Sequence, residues 1–301
     1  MKKRLKKITG FVLCLTLVAV VAGAGVFFAQ YYLRKFEAEV TARDTIKLST
    51  VVEVKGKEDI VLCAHRGFSA VAPENSLAAI AEAGAAMFSR VEFDVRETRD
   101  GVLVLMHDAT VNRMTDGAGK VASRTFKRLL TYKFNNGANF EEYGRLGIPT
   151  LSEALTVCVE HNMTPVMELK SVSGRGLESL KKTLDGLEIA EYVIVASSKG
   201  KTLLKFREMS PETEIWLMTE KIDRRAIRFC GEQENAALSF NAHSEYNKDD
   251  VIRGALKRGV RLSCWTVNDR ETLARMAGLG IREFITDVFE PHITENGFQV
   301  G

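Results

Sequence analysis

Val91-Glu92-Phe93-Asp94-Val95 decides how this 301-residue chain folds. Side chains alternate across a strand, so three apolar residues fall on one face of this run and two carboxylates on the other. Pro165-Val166-Met167-Glu168-Leu169-Lys170 repeats the arrangement, with Met167 and Leu169 on one face and Glu168 and Lys170 on the other. If helices cover the apolar faces, all four charged groups point into the enclosed side of the sheet.

Outward from these two runs, short β-rich segments recur at 60–64, 91–95, 165–169, 192–196, 214–218, 236–240, 261–266 and 283–286. Segments with the apolar spacing of amphipathic helices lie between most of them, among them 76–87, 151–161, 177–187, 202–208, 249–258 and 270–279. Strands alternating with helices imply a parallel sheet, and eight such units fit a closed (β/α)8 TIM barrel over residues 60–301. One interval departs from the pattern. Residues 96–149 hold an Asp100-Gly101 turn, a further strand at Val102 to Met106 and the loop-forming Asn135-Asn136-Gly137, which reads as an insertion after the second strand. An open doubly wound sheet would normally carry a glycine-rich phosphate loop, and the sequence has no G-x-G-x-x-G and no Walker motif.

Barrel chemistry gathers at the C-terminal ends of the strands. Glu92, Asp94 and Glu168 are expected to converge there, and carboxylates that crowd one another raise each other's pKa unless a cation holds them ionised. A divalent metal answers that requirement, and an all-oxygen donor set points to Mg²⁺ or Ca²⁺ before zinc. An ion pair with Lys170, or a solvated strand face, is the plainer reading of the same charges. Of the five histidines, His65 ends the first strand beside Arg66, and His107 follows the apolar run of the insertion and precedes Asp108. Opening a phosphodiester needs one group to activate the nucleophile, another to protonate the leaving alkoxide, and cations on the non-bridging oxygens. His65 and His107 with Arg66 and Lys170 supply that set. His161 and His292 read as ordinary polar residues, whereas His243 follows the sixth strand on the catalytic face. Trp265 shares strand parity with Ser263, which turns it inward. Asn75 reads equally well as a residue holding the site and as a helix N-cap, a role open to Ser76 too.

Seven ordered blocks now carry a resemblance: His65-Arg66-Gly67, Pro73-Glu74-Asn75-Ser76, Glu92-x-Asp94, Asp100-Gly101 with His107-Asp108, Ile148-Pro149-Thr150-Leu151, Glu168-Leu169-Lys170 and Trp265-Thr266-Val267-Asn268. In order and spacing, residues 60–291 resemble the glycerophosphodiester phosphodiesterase family. The resemblance implies metal-dependent hydrolysis of glycerophosphodiesters to glycerol 3-phosphate and an alcohol. It makes His65 and His107 the acid and base pair and Glu92, Asp94 and Glu168 the metal ligands. Arg66 and Lys170 would hold the phosphate, and Trp265 would line the pocket. Phospholipase-like action on intact lipids or on a cell-envelope glycerol-phosphate polymer is the alternative, and a non-catalytic phosphoester-binding receptor the remoter one.

The N-terminus bears on where this chemistry takes place. Residues 1–7 are basic, and residues 8–33 are free of charge over about 39 Å of helix, enough to span a hydrocarbon core of about 30 Å. Five basic residues before the span favour a cytoplasmic N-terminus and an extracytoplasmic catalytic domain. Ala22-Gly23-Ala24 offers a signal-peptide cleavage pattern, and a protein secreted after cleavage is the competing reading. Residues 34–59 read as a stalk. Without the basic tail, acidic residues outnumber basic ones, which gives no reason to propose a nucleic-acid partner. The cysteines show no paired or metal-knuckle spacing and read as isolated packing residues.

Overall fold

A computed structural model describes residues 60–294 and 297–300. The tail, membrane helix or signal peptide, and stalk expected over residues 1–59 lie outside the described residues, among which no helix is long and apolar enough to cross a membrane. The described chain begins with β1 (Val61–Ala64), α1 (Leu77–Ala85), β2 (Arg90–Glu97) and β3 (Leu103–Leu105). It continues through the short α2 (Phe126–Leu129) into α3 (Leu151–Glu160), β4 (Thr164–Ser171), α4 (Gly174–Leu187), β5 (Ile194–Ser197) and α5 (Gly200–Met209). Then follow β6 (Glu214–Thr219), α6 (Arg224–Gly231), β7 (Ala236–Asn241), α7 (Asp249–Leu256), β8 (Arg261–Trp265), α8 (Arg270–Leu279) and β9 (Glu283–Thr286). Eight of the strands pair in parallel in the order β1-β2-β4-β5-β6-β7-β8-β9, and β9 returns to β1, closing the expected TIM barrel. Strands β10 (Pro291–Thr294) and β11 (Gly297–Val300) form a separate antiparallel hairpin.

Helix starts are written in short polar residues. Thr150 and Glu153 form a capping box on α3, and the side chains of Ser76, Ser173, Asp223 and Asp269 cap α1, α4, α6 and α8. Ser76 therefore takes the cap role, and Asn75 is released for another. Two helices differ from the sequence reading. α4 starts earlier than its apolar spacing suggests, at Gly174, and α6, which turns Ala226 and Cys230 to the core, has no counterpart among the expected helical segments. The fourth strand of the barrel begins only at Ile194, because Tyr192 is an exposed turn residue.

Strand alternation divides the apolar residues into two layers. Val91, Phe93, Val95, Met167 and Leu169 pack outward against helix residues such as Leu155, Leu180 and Phe206. Cys63, Val166, Ile194, Trp216, Met218 and Ile285 fill the barrel interior. At the N-terminal end of the strands, Arg90 pairs with Glu283 at 2.7 Å and Arg261 with Glu214 at 2.9 Å, so the charges at that end are matched. The four described cysteines are buried and unbridged, as their spacing suggests.

The segment between β2 and α3 has its own small core. Val104, Met106, Val111, Met114, Val121, Leu129, Tyr132, Phe134 and Ile148 cluster there apart from the barrel. Its strand β3 lies antiparallel on the C-terminal end of β2, pairing Leu105 with Val95. This pairing delivers the chain after β3 to the rim where barrel chemistry belongs.

The turn after β1 is tight. Gly67 has φ +80°, its amide donates to the Glu92 carbonyl at 3.0 Å, and an added Cβ would lie 2.5 Å from the Ala79 Cβ. Gly67→Ala therefore suffers both left-handed strain and overpacking, and we expect a loss of roughly 2 kcal/mol or more in denaturant unfolding. A variant of wild-type stability would show that the turn yields.

Candidate active site

The β2–β4 register determines the centre of the site. Glu92 pairs with Val166 and Asp94 with Glu168, which puts two carboxylates of adjacent strands at one level inside the mouth. Oxygens of Glu92, Asp94 and Glu168 lie within 4.8 Å of one another, and Glu92 and Asp94 are each only 1% exposed. Burial on this scale is costly unless the charge is matched.

Matching is unequal among the three. Lys170 places Nζ 3.1 Å from Asp94 and 2.7 Å from Glu168, and Arg66 Nε lies 3.6 Å from Asp94. Asn75, in a left-handed conformation, donates its amide to Asp94 at 2.7 Å and accepts the Asp94 backbone N–H at 2.8 Å. Burial alone would raise the Asp94 carboxyl, but Lys170 and Arg66 outweigh it and hold the pKa below its ordinary value. Lys170 thus makes the ion pair weighed for the strand charges, without satisfying all of them. Glu92 accepts the Arg66 backbone N–H on Oε2 at 2.9 Å, while its buried Oε1 has no hydrogen-bond partner. Burial first and Asp94 second push the Glu92 carboxyl up to about 8.

Each candidate histidine is anchored through Nδ1 by a carboxylate. His65 Nδ1 lies 2.7 Å from Asp287, which also accepts from Ser69 and Asn268. Burial opposes ionisation of Asp287, yet the hydrogen bond from His65 prevails and its carboxyl lies well below the usual range. An ionised Asp287 only accepts, so Nδ1 carries the proton and Nε2, 4.0 Å from Glu92, is the exchangeable nitrogen. Burial lowers the proton affinity of His65, but Asp287 and Glu92 more than compensate and raise it.

His107 Nδ1 lies 2.8 Å from Asp108. Arg113 donates to Asp108 at 2.7 Å and to Glu74 at 2.6 Å, and Glu74 accepts from Arg66 at 3.0 Å. The bond from Arg113 chiefly holds the Asp108 carboxyl down at about 2. A run of alternating charges therefore joins the His107 loop to the turn after β1. Arg96, at the end of β2, adds a guanidinium clamp on the carbonyls of Met106 and His107.

A cavity of about 340 Å³ opens over this cluster. His65, Arg66, Glu92, His107, Glu168, Lys170 and Trp265 line it, and Asp94 lies beneath them. All eight residues proposed from sequence thus come together. Trp265 turns inward as its parity requires, with its buried Nε1 unpartnered. His243 stands at the rim with Nε2 2.9 Å from the Thr266 carbonyl and outside the cavity lining. His161 ends α3 as its C-cap residue, and the side chain of His292 lies outside the described residues. Sequence reasoning missed Asp287, Arg113 and Arg96. Asp287 follows β9 and meets His65 only by closure of the barrel, although Asp108 next to His107 offered a hint that each histidine needs a carboxylate.

Removing the Asn75 amide leaves a buried carboxylate and a buried backbone N–H short of partners. Asn75→Ala should cost about 1–3 kcal/mol in denaturant unfolding, and unchanged stability would mean that the two bonds contribute nothing net.

Residues 65–290 match the model of the glycerophosphoryl diester phosphodiesterase family. A glycerophosphodiester phosphodiesterase of Caldanaerobacter subterraneus subsp. tengcongensis is 32% identical over 238 residues, 75% of this chain and 93% of that protein. Glycerophosphodiester phosphodiesterase 1 of Bos taurus is 36% identical over 246 residues, 71% of this chain and 74% of its own length. Among solved structures, an Oleispira antarctica phosphodiesterase in complex with the product sn-glycerol-3-phosphate superposes with a TM-score of 0.66 at 24% identity, covering 75% of this chain and 92% of that one.

Proposed function

The chain belongs to the glycerophosphoryl diester phosphodiesterase family, and from that premise we propose that it hydrolyses glycerophosphodiesters to glycerol 3-phosphate and an alcohol, with His65 and His107 moving the protons. The observation that carries the assignment is the meeting, in one cavity, of two carboxylate-anchored histidines, two cationic side chains and three crowded carboxylates.

The three carboxylates suit a divalent cation. Glu92 Oε1 is buried without a partner and its carboxyl is driven towards protonation, both of which a cation among these oxygens would relieve. Glu92, Asp94 and Glu168 are the residues that would hold it, and an all-oxygen set favours Mg²⁺ or Ca²⁺. When bound, such an ion neutralises the cluster and withdraws negative charge from a phosphate oxygen.

The remaining roles follow from the protein's own groups. Arg66 and Lys170 face the cavity and stabilise the non-bridging phosphate oxygens as charge accumulates. One histidine takes a proton from the attacking oxygen nucleophile and the other gives one to the leaving alkoxide as the P–O bond to the alcohol breaks. Asp287 and Asp108 fix the imidazoles by their Nδ1 atoms, leaving each Nε2 for transfer. Asn75 and the Arg66-Gly67 turn keep the carboxylates in register for the ion.

For the localisation we propose an extracytoplasmic barrel tethered by residues 8–33, on the strength of the charge-free run and the basic residues before it. Small deacylated diesters are the proposed substrates. Activity on intact lipid or envelope polymer in their place would revise that choice.

Purified protein should release glycerol 3-phosphate from glycerophosphocholine or glycerophosphoethanolamine, lose the activity in EDTA and regain it with Mg²⁺ or Ca²⁺. Activity undiminished by EDTA would remove the metal from the reading. His65→Ala and His107→Ala should each lower kcat by about 10²- to 10⁴-fold with an unchanged circular-dichroism spectrum, and a folded His107→Ala enzyme at full rate would sink the two-histidine mechanism.

A further inference from the structure

The cavity has two electrically different walls. In the closed ring of eight strands, β6 stands four places from β1, so the residue following β6 lies across the mouth from the turn that carries His65 and Arg66. That residue is Glu220, and it lines the same cavity. Met218, Trp265 and Ile285, with the hydroxyl-bearing Ser198, Thr219 and Thr266, complete the lining.

Glu220 is held in place yet left without a counter-charge. Its Oε2 accepts from Asn241 Nδ2 at 2.7 Å. Its backbone carbonyl accepts from Asn247 Nδ2 at 3.0 Å, and Asn247, only 1% exposed, also donates to the Asn241 carbonyl at 2.8 Å and accepts the Ile222 N–H at 2.8 Å. A buried amide thus fixes the loop and a second amide aims the carboxylate. Among the described residues no ion pair engages Glu220. The nearest cation in sequence, Lys221, lies over the Tyr246 ring at 5.1 Å.

Glu220 is exposed to solvent at the cavity mouth, which screens its charge, yet a carboxylate oriented there without a counter-charge still favours a diester whose far end is positive over one whose far end is neutral. A diester whose alcohol is an amine or quaternary ammonium fits both walls at once, with its phosphate at Arg66 and Lys170 and its cation at Glu220. Trp265 lines the same cavity, and aromatic rings attract such cations. We propose that Glu220, with Trp265 beside it, forms a subsite for a cationic alcohol and gives the enzyme a preference for zwitterionic over uncharged head groups. This rests on the hydrolytic reading above and extends it to the choice of leaving group.

The test compares kcat/KM for glycerophosphocholine and glycerophosphoglycerol, which share the phosphodiester and differ in the charge of the alcohol, in the full-length enzyme with metal. Wild type should favour the choline ester. Glu220→Gln should lower that ratio roughly five- to tenfold, the loss of one cation contact, and Glu220→Lys should lower it further. A ratio unmoved by both variants, or an equal fall on both substrates, as expected if Glu220 grips the shared glycerol, overturns the subsite while leaving the hydrolase intact. A wild type inactive on both diesters, but active on lipid or polymer, would overturn the substrate reading and this subsite with it.

Discussion

Everything at the mouth of this barrel is arranged around the difficulty of burying Glu92, Asp94 and Glu168 together. The β2–β4 register sets Asp94 level with Glu168, and the alternation that sends Phe93 outward sends Glu92 inward. Lys170, Arg66 and Asn75 answer for Asp94, and the Arg66 amide answers for one oxygen of Glu92. One oxygen remains unanswered, and it is the one that a cation would serve. The left-handed backbone of Arg66 and Asn75 and the glycine at 67 are local concessions that bring those donors within reach.

Strand parity made the inner ring of charges legible, because a two-residue period assigns facing without any knowledge of tertiary structure. The eight strands, the interior position of Glu92, Asp94, Glu168 and Trp265, and the two histidines at strand ends could all be read in this way. What sequence could not supply was contact between distant segments. Asp287 reaches His65 across 222 residues because β9 closes on β1, and nothing local to Asp287 announces it. Arg113 joins Asp108 to Glu74 through the fold of the insertion, whose path depends on a core of its own. Asn75 had two equal readings from sequence, and the structure separates them by giving the cap to Ser76 and the carboxylate to Asn75.

The two histidines reach the site by different routes. His65 extends a strand of the closed sheet, whereas His107 is carried in on β3 and is secured by the Arg96 clamp and the Asp108–Arg113–Glu74 bridge. The bridge ends on Arg66, so the loop that brings the second histidine also braces a phosphate-binding group. Position and charge are thereby linked across an interface between two separate clusters of apolar residues.

That separation has a consequence for how the protein fails. A core of nine buried side chains offers far less apolar surface to hold it closed than a barrel several times its size. Local opening of this segment would carry His107 from the rim without parting the eight strands, so that activity depends on a smaller core than the barrel does.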